Sequence, residues 1–227
     1  MSDIFREVDE DIRQEKYRRL WDRFGPWVIV VAVLIVVGTG GYRGWQYWQE
    51  TQAQEAGDKF MAAVELSESG NIEGAIEALD ALGEAGGGYP QLAKLRVATE
   101  HIKADRKIEA LEAFDQASRD PSVEASLQSI AALRAGYLAV DLEDYAGVAD
   151  RVEGLTGEAD PFRAAACELL ALAAWKAGNA DDARKWVSAI ENDTETPAEV
   201  SRRVSILSEV IRSQFGAADG EATGDAQ

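Results

Sequence analysis

Side chains able to do chemistry are few, because the chain holds one histidine and one cysteine. A nucleophile–base pair would need a Ser, Cys or carboxylate held against His101, and no spacing in the sequence brings one there. His101 falls near the end of a helical stretch and reads as a surface or half-buried structural residue. Cys167 sits in Ala-Ala-Ala-Cys-Glu-Leu-Leu, where apolar helical neighbours make it a small buried hydrophobe rather than a reactive thiolate. If exposed in an oxidising compartment it would bridge two chains. Gly38-Thr39-Gly40-Gly41 lies inside an apolar run with no strand before it, so it is not a phosphate loop. Gly40-x-x-x-Gly44 has helix-dimerisation spacing, yet it includes Arg43 and fits a loosened helix end equally well. Trp175 and Trp186 could stack on a ligand, but packing within one helical hairpin is the simpler role. Asp181-Asp182 opens a helix, where the dipole favours carboxylates without any acid–base function. Cysteine- and histidine-based zinc sites are excluded by the same scarcity. No catalytic, cofactor-binding or metal-ligating residue is assigned, no cofactor is expected, and an enzyme is not expected.

The elements that position these residues are of two kinds. Over the 227 residues, 46% are hydrophobic, and 23 Lys and Arg stand against 41 Asp and Glu for a net charge of −18. That balance lacks the basic footprint of a nucleic-acid binder. One apolar block then decides the topology. Residues 24–42 form an uncharged window of 19 residues between Arg23 and Arg43, about 28 Å of helix, close to the hydrocarbon thickness of a bilayer. Pro26 suits a first helical turn. Trp27 marks one boundary, and Tyr42, Trp45, Tyr47 and Trp48 the other, as an aromatic belt would. A cleaved signal peptide competes with this reading, but the seven acidic residues among the first 23 are unlike a short basic leader. Six basic residues precede the window, while only Arg43 follows it before Lys59. The positive-inside rule therefore places the N-terminus in the cytoplasm and the remainder outside. Residues 1–23 read as a cytoplasmic amphipathic helix and 24–45 as the transmembrane anchor.

After residue 50 the pattern is helical throughout. Asn71, Arg106, Asp144 and Asn179 each open a similar segment whose fifth residue is Ala75, Ala110, Val148 or Ala183. Four residues later stand Leu79, Phe114, Val152 and Val187, and three beyond those Leu82, Ala117, Leu155 and Ile190. Small, bulky, apolar at i, i+4, i+7 is one helix face packing on a partner. The partner helices carry Ala63, Ala98, Gly136 and Ala171 about 12 positions upstream. Pro90, Pro121, Pro161 and Pro197 punctuate the chain. Asp120-Pro121 and Asp160-Pro161 suggest N-caps followed by proline at the first helical position, and Thr196 to Glu199 suggests a capping box. Hairpins are expected at 53–83, 90–118, 121–156 and 160–191, with helix 197–214 closing the array. Residues 26–67 could form one helix, although Gly38, Gly40, Gly41, Gly44 and Gly57 weaken it. Gly86-Gly87-Gly88 reads as the loop between the first two hairpins. The fold class is all-α: an N-terminal transmembrane helix followed by a helical-hairpin solenoid at 46–215, then a disordered acidic tail at 216–227.

The small and apolar positions over 53–192 resemble the tetratricopeptide repeat, in a degenerate form. The Gly-Trp-Gln-Tyr-Trp exit at 44–48 and Tyr-Pro-Gln-Leu-Ala-Lys-Leu-Arg at 89–96 further resemble the YfgM-type ancillary subunits of the bacterial SecYEG translocon. That resemblance implies a single-pass inner-membrane protein with a periplasmic interaction domain. It also implies contact with the SecYEG translocon and with a periplasmic chaperone such as PpiD, in aid of protein translocation. An envelope scaffold for cell division or outer-membrane biogenesis is the alternative. Small-molecule substrates and nucleic acid are not expected as partners.

The charge asymmetry makes a direct prediction: a reporter active only in the periplasm, fused after Gln214, is active. An inactive fusion reverses the topology, and a mature N-terminus near Gly41 shows cleavage instead.

Overall fold

The computed structural model of the chain describes residues 3–83 and 85–216. The described residues hold nine α-helices: α1 Asp3–Glu68, α2 Ile72–Asp80, α3 Tyr89–Lys103, α4 Lys107–Arg119, α5 Ala125–Leu142, α6 Tyr145–Val152, α7 Arg163–Lys176, α8 Ala180–Glu191 and α9 Ala198–Phe215. One short 3-10 turn, Glu153–Leu155, follows α6. No strand occurs among the described residues. Two compact units divide between Gln54 and Glu55.

In the first unit, helix α1 runs through Pro26 rather than starting there. The ring removes one backbone hydrogen bond, and the apolar residues that follow continue the helix through Gly38, Gly40, Gly41 and Gly44. The stretch Ile29–Glu68 contains a window apolar enough to cross a membrane, and none of that window is buried. Leu34, Ile35, Val36 and Val37 are all exposed. Trp45 and Trp48 pack ring to ring at 5.4 Å.

In the second unit the repeat register of the sequence is reproduced. Ala63, Ala98, Ala171, Ala75, Ala110, Val148 and Ala183 have no exposed surface. Gly136 is buried as well, and a Cβ there would meet Val152 Cγ1 at 2.6 Å and Leu169 Cδ1 at 3.1 Å. Absence of a side chain at Gly136 is therefore what lets α5 approach α6 and α7. Gly57 has a similar use: a Cβ would meet the Tyr89 hydroxyl at 2.8 Å. It makes room for the Tyr89 ring, which lies 5.7 Å from Phe60. Ala56, Ala63, Leu79, Leu82 and Ala93 form one core. A second and larger core runs from Ala98 through Phe114, Ala135, Val152, Leu170 and Val187 to Ile211 on α9.

Three hairpin turns use a left-handed residue, Gly70 at φ 88°, Asp105 at φ 59° and Gly178 at φ 75°. Asn71, Arg106 and Asn179 then donate backbone N–H to Leu66, His101 and Ala174 carbonyls, which absorbs the unpaired carbonyls at the helix ends. The third hairpin does without: Glu143 is extended at φ −127° and Asp144 caps α6 directly. Three of the four residues that open the second helices are side-chain caps, with Asn71, Asp144 and Asn179 accepting from Gly74, Gly147 and Asp182 N–H, while Arg106 makes none.

The caps expected from proline are not made. Asp120 accepts from Ser122 N–H and Asp160 from Phe162 N–H, both at 2.8 Å. Each aspartate thus folds its own proline into a turn, and α5 and α7 begin later, at Ala125 and Arg163. No side chain caps α9, whose N-cap is Pro197, and the Thr196 hydroxyl faces the Ile190 carbonyl instead. Of the expected acidic tail, residues 217–227 lie outside the described residues.

Two substitutions check the register. Ala110→Glu buries an unpaired charge at a site with no exposed surface and destabilises by about 3 kcal/mol or more. Gly136→Ala forces Val152 aside and costs about 1–3 kcal/mol. Urea unfolding of the full-length protein in detergent measures both, and unchanged midpoints would show a wrong register.

Candidate functional site

Alternating helices put the last turns of α1, then α3, α5, α7 and α9, in the first-helix layer, with α2, α4, α6 and α8 in the other. Within the first layer α5 packs on α7 and α7 on α9. A recess of about 240 Å³ opens on this layer, lined by Phe60, Leu92, Leu95, Arg96, Thr99, Ile130 and Arg134, with Phe114 of α4 as its floor. Its walls are mostly apolar. Leu92 keeps 41% of its surface exposed and Tyr137, three residues beyond Arg134, keeps 47%.

Charge separates by layer. Helices α3, α5, α7 and α9 carry three, one, two and three Lys or Arg, against one, one, one and two Asp or Glu. Helices α2, α4, α6 and α8 carry none, two, one and two, against three, three, one and three. In a chain of net charge −18, α3, α5, α7 and α9 are the cationic helices of the array, whereas the last turns of α1 carry Lys59 against Glu55, Asp58, Glu65 and Glu68.

Polar groups tie consecutive repeats together. Glu100 is fully buried. Its carboxylate accepts from Ser67 Oγ at 2.5 Å, Arg96 Nε at 2.5 Å and Lys103 Nζ at 3.1 Å. Burial alone pushes its pKa up, but these three donors outweigh burial and hold it below the usual carboxylate value. Lys103 also donates to Ser67 Oγ, 36 residues upstream. Lys176, likewise the last residue of its helix, donates to the Val140 carbonyl, again 36 residues upstream. Arg151 is held by both Asp115 and Glu143, and these hydrogen bonds raise its pKa. Arg203 grips Glu168 with two bonds of 2.6 Å, and Arg163 pairs with Asp193. Sequence reasoning missed all of these. The readable signal was a lysine closing both α3 and α7.

The residues weighed for chemistry are not brought together. His101 is half-buried on α3, with Nδ1 buried and unpartnered in the structure. Cys167 is buried on α7, and burial pushes its thiol pKa up, away from thiolate character. Asp181 and Asp182 lie in the first turn of α8. Gly86, Gly87 and Gly88 lie between the first two hairpins. The tryptophans do more than pack within one hairpin. Trp186 donates to the Tyr145 hydroxyl at 3.0 Å and Trp175 to Gln214 Oε1 at 2.7 Å, so they join the fourth hairpin to α6 and to α9. Among the described residues no group of three or more His, Cys, Asp or Glu is placed to hold a metal ion.

Residues 18–204 match the family model of the tetratricopeptide repeat-like domain. The match takes in the apolar stretch of α1 as well as the helical hairpins. No curated protein and no solved structure matches the chain.

The Glu100 network makes a pH-dependent prediction. A carboxyl whose folded pKa lies below its ordinary value of 4.5 contributes fully above that value, and the contribution is lost as pH falls through the folded pKa. Glu100→Gln therefore destabilises by about 1–3 kcal/mol at pH 7, and the gap to wild type narrows on acidification below about pH 4.5. Thermal unfolding from pH 7 to pH 3 measures it. A gap independent of pH would contradict the assignment.

Proposed function

We propose that this chain, which belongs to the tetratricopeptide repeat-like domain family, is a membrane-anchored scaffold for protein–protein contact. Repeat domains of this kind are generally non-catalytic scaffolds. The observation that carries the reading is the pairing, in one chain, of an exposed apolar helical stretch long enough to cross a membrane with a repeat array. An apolar stretch of that length on a single helix is covered by lipid or protein in the cell. The array offers a continuous surface on which a partner chain lies across several helices.

The finer reading is a YfgM-type role at the inner membrane of a bacterium. The N-terminus is cytoplasmic, the array periplasmic, and the partners are the SecYEG translocon and a chaperone such as PpiD. The basic residues preceding the apolar window and the aromatic exit at 44–48 support it. Anchoring holds the array near its partner and raises the effective concentration, so the affinity of the array itself can be weak.

Chemical crosslinking in native membranes, followed by purification and mass spectrometry, tests the proposal. Full-length protein is expected to capture translocon subunits or emerging chains. A version whose anchor is replaced by an unrelated membrane helix is expected to keep part of that capture. Capture of division or outer-membrane assembly proteins in place of translocon subunits would favour the other envelope role. Absence of any protein partner would overturn the scaffold reading.

A further inference from the structure

The first-helix layer combines an apolar recess with a cation that no carboxylate among the described residues pairs with. Phe60, Leu92, Leu95 and Ile130 supply the apolar walls. Arg96 at the rim is already bonded to buried Glu100. Arg134 is different: its side chain is exposed at the recess, and among the described residues it makes no ion pair or hydrogen bond. Helix α5 has no acidic residue before Asp141, seven positions further on. Helices α3 and α5, which line most of the recess, carry four Lys or Arg against Glu100 and Asp141, whereas the last turns of α1 and the other layer are acidic, so the field that favours an anionic ligand is local to the α3–α5 side.

Resting on the scaffold reading above, we propose that the recess binds an acidic amphipathic segment of a partner polypeptide. Apolar side chains of the segment fill the space between Leu92 and Ile130, and a Glu or Asp of the segment pairs with Arg134. An apolar contact beside a guanidinium recognises both features at once. The apolar walls supply affinity, and the guanidinium selects the sign of the neighbouring charge. A basic segment would meet Arg134 and the other cations of the layer, so the site discriminates against basic apolar sequences.

Full-length protein in phosphatidylcholine nanodiscs is titrated into three fluorescent peptides. They share one leucine pattern and carry Glu, Gln or Lys at the polar positions, and anisotropy is the readout. The Glu peptide is expected to bind about fivefold or more tightly than the Gln peptide, with the Lys peptide weakest. Arg134→Ala removes most of the Glu preference and leaves Gln-peptide affinity within about twofold, because it deletes only the charge contact. Arg134→Lys keeps the preference in part, and Leu92→Ser weakens the Glu and Gln peptides alike. Equal affinity for the Glu and Lys peptides, or an Arg134→Ala protein as selective as wild type, would overturn the proposal. Sedimentation with phosphatidylglycerol vesicles that depends on Arg134, without peptide selectivity, would overturn it in favour of a lipid surface. Peptides that fail to bind while crosslinked protein partners persist would sink this inference and leave the scaffold reading standing. Selective peptide binding with no captured partner would do the reverse.

Discussion

Close approach of paired helices at small residues is the constraint on which the array depends. Ala63, Ala98, Gly136 and Ala171 on the first helices, and Ala75, Ala110, Val148 and Ala183 on the second, leave nothing larger than a valine at these positions, and all are buried. Interiors are packed so densely that one added methylene displaces a neighbour, and at Gly136 even a methyl would collide with Val152. With the pairs held at this spacing, bulky residues one turn on, such as Leu79, Phe114 and Val187, fill the gaps between hairpins. The first helices are thereby left side by side, and their outward positions become a common surface.

Polar contacts then set the order of the repeats. Apolar packing is non-directional, whereas Glu100 with Ser67, Arg151 with Asp115, and Lys176 with the Val140 carbonyl each join positions 33 or 36 residues apart. A slip of one hairpin past another would break them, and in the case of Glu100 would strand a buried charge. None of these contacts involves Arg134, which stays available to solvent on the first-helix layer.

The sequence disclosed those parts of the fold that depend on periodicity. Recurrence of Ala75, Ala110, Val148 and Ala183 located the second helices, and the structure buries each of them. Helix starts were less legible. An aspartate before a proline serves an Asx turn as readily as an N-cap, and at Asp120 and Asp160 the turn wins. Pro26 misled for a related reason, since proline is tolerated inside a long helix that has enough other hydrogen bonds. Long-range side-chain pairs were illegible, because no local pattern marks Glu100 as the buried acid among many exposed ones. The candidate site was not legible. Phe60 and Leu92 belong to the helical apolar pattern, but the recess they line with Ile130 and Arg134 exists only once α1, α3 and α5 lie together.

Function follows from a division of labour along the chain. The apolar stretch of α1 supplies a candidate membrane anchor, and the array supplies a surface on which the cationic helices α3, α5, α7 and α9 differ from the acidic second-helix layer. On the proposed function, partner capture falls to the first-helix layer. Photo-crosslinking from single unnatural side chains in living cells tests it most directly, with a photoreactive phenylalanine at Leu92 on α3 or at Glu112 on α4, both exposed. Abundant crosslinks to partner proteins are expected from position 92 and few from position 112. Equal yields from both positions, or crosslinks from position 112 alone, would contradict it.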